Sequence, residues 1–167
     1  MKTLTATESQ RRLFFFGAVL FAVGLWTGIW SSMAMTGVIK VGIPRLALVA
    51  HLNALLGGLW IMAVAASLTY LNYSSIQLNR LATLTLIPAF GNWVVTMAAS
   101  FLGVNGLTYT SDPRNNAIAF SLQLIVVIPS LVASVYWVRG FIGKRLREGK
   151  NESVYRPESR KAARNSR

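Results

Sequence analysis

The chain has 167 residues, of which 53% are hydrophobic and 13% charged, with no cysteine, one histidine and a formal net charge of +12. So apolar a composition, with nearly all the charge at the two ends and in short connections, excludes an ordinary water-soluble domain. The lack of cysteine removes disulfides and thiolate ligands from every functional hypothesis.

Crossing ~30 Å of hydrocarbon takes roughly 20 apolar residues as a helix. Four such stretches follow one another: Leu13 to Met33, Leu46 to Tyr70, Leu81 to Gly103 and Ala117 to Val138. They predict an all-α fold, a four-transmembrane-helix bundle forming one domain over 13–138. It lies between a short cytoplasmic segment, 1–12, and a basic, partly disordered cytoplasmic tail, 139–167. Arg11 and Arg12 precede the first stretch much as they would in a signal peptide, but an apolar run of about 20 residues exceeds the usual 7–15 of such a segment. The first stretch therefore reads as a span. Gly17, Gly24 and Gly28 on it, and Gly57 with Gly58 on the second, offer small surfaces for close helix approach. A subunit interface or a flat cofactor would use the same surfaces.

Lys2, Arg11 and Arg12 precede the first span, Arg80 joins the second to the third, and ten Lys or Arg follow the fourth. The other two connections hold Lys40, Arg45 and Arg114. The positive-inside rule then puts both termini in the cytoplasm of a protein of the inner (cytoplasmic) membrane. The tail carries most of the net charge but no platform of aromatics, so it reads as a partner of anionic lipid headgroups and not of nucleic acid. Pro88 and Pro129 fall inside the third and fourth spans, where each frees a carbonyl and predicts a kink.

His51 lies in the second span, and no acidic residue occurs between Glu8 and Asp112. Polar side chains in a span are costly and tend to face the bundle interior. At 1.5 Å per residue, His51, Thr96 and Gln123 all fall roughly 8–10 Å below the same membrane surface. Asn92 shares a face with Thr96 one turn deeper, while Asn53 lies about 200° around the second helix from His51. Asn53 and Gln123 read equally well as hydrogen-bonding glue between helices. The imidazole is either a buried neutral ring bonded to a neighbouring carbonyl or a metal ligand. A tetrahedral zinc site cannot be assembled from one such chain, whereas a haem needs a single strong protein ligand. With one histidine, a haem held here would keep an axial position open.

The runs PRLALVAHLNALLGG, LFFFGAVLFAVGLWTG and FGNWVVTMAASFLGVNG together resemble the hydroxylaminobenzene mutases, small four-helix membrane isomerases. AHLNALLGGLWIMAVA and NGLTYT also resemble the related styrene oxide isomerases, over roughly Leu13 to Val138. The resemblance implies a ferric haem b held by His51 as axial ligand to the iron, with Asn92 orienting the polar end of a small aromatic substrate and Thr96 donating a hydrogen bond. Arg45, at the outer mouth of the second span, either pairs a haem propionate or sits at the headgroups. It further implies an intramolecular hydroxyl transfer from an arylhydroxylamine to a 2-aminophenol, with no nucleotide cofactor, in a homo-oligomer of trimeric kind. Thr96 stands where the styrene oxide isomerases have a tyrosine, and Gly57 where they, and the mutases too, have an asparagine within one residue. Those departures point away from styrene oxide, although an epoxide isomerase on the same framework is the nearest rival. A non-enzymatic haem-binding membrane subunit is a second, and the lack of a carboxylate in any span counts against a proton-coupled carrier.

Overall fold

A computed structural model describes residues 6–142, so the N-terminal five residues and most of the basic tail lie outside the described residues. Four helices are long and apolar enough to cross a membrane, and no strand occurs among the described residues. Helix α1 spans Ala6–Met35, α2 Pro44–Ser67 and α3 Ser75–Leu102. The fourth span is composite: α4, Pro113–Ser121, passes through a π-helical turn, Leu122–Val127, into α5, Ile128–Ile142.

The expected spans are all present, and most start several residues earlier than the apolar runs. Local chemistry explains the difference. Ser74 and Gln77 form a reciprocal capping box that opens α3. Pro113, whose missing N–H is no loss in a first helical turn, follows Asp112 as the N-cap of α4. The hydrogen bonds and ion pair from Arg114 hold the Asp112 carboxyl below its ordinary range. Gly103 ends α3 in the left-handed region, at φ 69°, where a side chain would be strained. Helix α3 runs unbroken through the fully buried Pro88. At Pro129 the strain is met differently: the Ile128 N–H reaches back five residues to Gln123 O, and the helix widens into its π turn just before the proline.

The main core lies between α1, α2 and α3, with Leu13, Leu20, Ile61, Val64 and Leu81 fully buried. Many large apolar side chains, Phe15, Leu25, Trp26 and Leu131 among them, point outward, as hydrocarbon rather than water would favour. The fourth span packs along α3 and is pinned at both ends. Beside the connection from α2 to α3, Trp137 donates to Ser67 Oγ at 2.7 Å and Tyr73 OH donates to Tyr136 O at 2.6 Å. Burial beside Tyr136 raises the Tyr73 hydroxyl above its usual value, partly offset by Arg139. At the opposite end Asn115 accepts from Gly106 N and donates to Thr108 O.

Candidate functional site

Helices α1 and α2 meet almost backbone to backbone. A Cβ added at Gly17 would lie 2.7 Å from Met62 Cγ, one at Gly24 2.8 Å from Leu55 Cδ2, and one at Gly58 2.8 Å from Phe21 N. The half-buried His51 ring occupies the same seam, where a Cβ on Gly28 would stand 2.7 Å from its Cε1. Its Nδ1 lies 2.7 Å from Gly24 O. A carbonyl only accepts, so in the neutral ring Nδ1 carries the hydrogen and Nε2 keeps its lone pair. The two readings of His51 are thus compatible: the carbonyl bond is made, and it orients the ring with one nitrogen left to bind. No group of three or more His, Cys, Asp or Glu able to hold a metal ion occurs among the described residues.

On the other side of α2 lies a layer of amides and a hydroxyl. Asn53 Nδ2 donates to Asn92 Oδ1 at 3.1 Å and to Thr96 Oγ1 at 3.0 Å. Thr96 Oγ1 donates to the Asn92 carbonyl one turn back, at 2.7 Å. This arrangement uses both hydrogens of the Asn53 amide and leaves the Asn53 carbonyl and the Asn92 amino group without a protein partner, on two residues that line the adjoining cleft. Flipping both amides exchanges these roles but still leaves one donor and one acceptor. The cleft measures about 300 Å³ and opens between α2, α3 and the fourth span. Asn53, Gly57 and Trp60 line it from α2, Asn92 from α3, and Val126 and Ser130 from the fourth span.

The structure therefore joins Asn92 and Thr96 and adds Asn53 as the hub between them. It holds His51 apart, against α1, since residues two apart on a helix diverge by about 200°. Arg45 is exposed in the first turn of α2, one helix end away from the amide layer. Gln123 does not join the layer: it is exposed and accepts from Tyr109 OH at 3.1 Å, because the connection after α3 folds back over the fourth span. Asn53, Gly57 and Trp60 recur at i, i+4 and i+7, a spacing that marks one face of α2 and was the available signal for the cleft.

Fold and site together define a multi-pass, all-helical membrane protein whose buried polar side chains, among the described residues, are uncharged, with Asn53, Asn92 and Thr96 bonded together beside one small cleft. The chain belongs to the styrene oxide isomerase family, whose model matches residues 9–142 and so covers all four spans. Hydroxylaminobenzene mutase HabB of Ectopseudomonas oleovorans is 28% identical over 102 residues, 61% of this chain and 58% of that protein. The match thus spans less than two thirds of that relative's length. No solved structure matches the chain.

Proposed function

We propose that the protein isomerises arylhydroxylamines of the hydroxylaminobenzene type to 2-aminophenols. The observation that carries this reading is the paired spare donor and acceptor of Asn92 and Asn53, two residues that line the cleft. An N–O–H substituent donates and accepts on adjacent atoms and satisfies both. An epoxide oxygen only accepts, leaving an amide carbonyl unpaired in an apolar site at a cost of about 1–3 kcal/mol. Leu56, Trp60 and Val126 offer the aromatic ring an apolar wall and exclude water that would capture a cationic intermediate. The reaction breaks the N–O bond, forms a C–O bond at the ortho carbon and returns the displaced ring proton to nitrogen. Atoms and electrons balance without a second substrate.

The residues fit a haem b. The Nδ1 bond to Gly24 O leaves the lone pair of His51 Nε2 as the donor that would hold the iron, and Gly28 leaves room for the imidazole itself in the seam. Arg45, exposed six residues before His51, would be the cation to pair a propionate. When bound, a ferric haem supplies a Lewis acid for the substrate oxygen. Because His51 and the amide layer occupy opposite sides of α2, a site using both needs a second copy, and we place the protein in a homo-oligomer, a trimer by analogy. Cytoplasmic termini, the inner membrane and anionic lipid at the basic tail complete the proposal. The tail itself lies mostly outside the described residues.

The full chain in nanodiscs, offered hydroxylaminobenzene and styrene oxide side by side, tests the reading. It is expected to yield 2-aminophenol. The family name supports an epoxide isomerase as the rival, and aldehyde without aminophenol would establish it in place of the mutase.

A further inference from the structure

The cleft has two polar ends. Helix α2 and the fourth span run in the same direction, and the Trp137 to Ser67 hydrogen bond sets their relative height. Seven residues back from Ser67 stands Trp60, and seven back from Trp137 stands Ser130, so the two lie level on facing walls. Asn53 stands seven residues further back along α2, roughly 10 Å along the axis. The amide pair thus closes one end of the cleft and Ser130 the other, with apolar wall between.

The Ser130 hydroxyl differs from several others in the spans, although Ser9 Oγ on α1 is likewise without a partner. Thr27, Thr85, Thr96 and Ser134 each donate to a carbonyl three or four residues back on their own helix. Among the described residues no partner satisfies Ser130, and its oxygen is not sealed from the cleft. The π turn and Pro129 directly precede it and set which face of α5 it occupies. A hydroxyl left unpaired at membrane depth is costly, so a ligand group that bonds it gains affinity.

Building on the arylhydroxylamine reading, we propose that Ser130 is a specificity-determining residue that receives a hydrogen-bonding substituent on the far side of the ring. The preferred substrates are then arylhydroxylamines carrying a small donor or acceptor para to nitrogen. A benzene ring with one substituent at each end bridges the amide pair and Ser130.

The test compares para-hydroxymethyl with para-methyl phenylhydroxylamine on the full chain in nanodiscs. A neutral hydrogen bond corresponds to a preference of about 5-fold in kcat/KM for the hydroxymethyl compound, carried by KM. Ser130→Ala should bring that ratio to about 1 and Ser130→Thr should restore it. A ratio unchanged in Ser130→Ala overturns the proposal. If wild type rearranges neither compound, the mutase reading fails, and binding decides the proposal separately. The unreactive isosteres 1,4-benzenedimethanol and 4-methylbenzyl alcohol are then titrated, with empty nanodiscs as blank. A Kd ratio that collapses in Ser130→Ala supports the Ser130 contact without the reaction, and one that persists, or is absent in wild type, refutes it.

Discussion

Gly28→Ala is the sharpest probe of the seam that orients His51. The new methyl would stand 2.7 Å from His51 Cε1 and 2.9 Å from Nδ1, well inside contact distance. Neither helix backbone can yield easily, because Gly24 and Gly58 already hold α1 and α2 in close contact. The ring must therefore swing away and give up its 2.7 Å contact with Gly24 O. The lost hydrogen bond contributes about 1 kcal/mol and the overpacking roughly 1–3 kcal/mol, for a total of about 2–4 kcal/mol. Reversible unfolding in mixed micelles measures it. In a His51→Ala background the space is open, and Gly28→Ala should then change stability by no more than roughly 0.5 kcal/mol. Equal destabilisation in both backgrounds would refute the geometry, since the penalty would then come from somewhere other than the imidazole.

Asn53→Leu strips the hub from the amide layer and should cost about 0.6–2 kcal/mol, more than Thr96→Val, which leaves the Asn53 to Asn92 bond in place. The same unfolding assay ranks the two, and the reverse order would contradict Asn53 as hub. Ser74→Ala removes half of a capping box and should lower stability by about 1 kcal/mol, with increased amide exchange confined to the first turn of α3. Asp112 titrates below its ordinary range, so its capping contribution is fully present above that range and is lost as pH falls toward its depressed value. The protection factor of the Arg114 amide should hold until the ordinary aspartate range has been passed. A fall at higher pH would contradict the pairing. For the cofactor, a pyridine haemochrome assay on detergent-purified protein should show about one haem per chain in wild type and little in His51→Ala. Equal haem in both would remove His51 as the ligand.

Apolar run length made the number and order of helices legible, because hydrocarbon thickness leaves a helix few alternatives. Helix boundaries were less so: Ser74, Asp112 and Pro113 extend α3 and α4 beyond the apolar runs through local hydrogen bonds that hydropathy does not register. The polar residues were legible by height and less by direction. Asn92 and Thr96 share a face by simple periodicity, and the structure joins them. Gln123 had the right height, but Tyr109 in the preceding connection draws it outward, a tertiary contact invisible to spacing. Ser130 was obscured because a π turn breaks the 3.6-residue count just ahead of it.

Asn53 and His51 are separated by a single residue of α2, yet each anchors a different neighbour, α3 through Asn92 and α1 through Gly24. One helix is therefore the partition between two anchors, and any sideways shift of it toward one neighbour tightens one anchor while loosening the other. Substitutions meant to reshape the cleft will register at the imidazole as well, so the two sides must be engineered as one object.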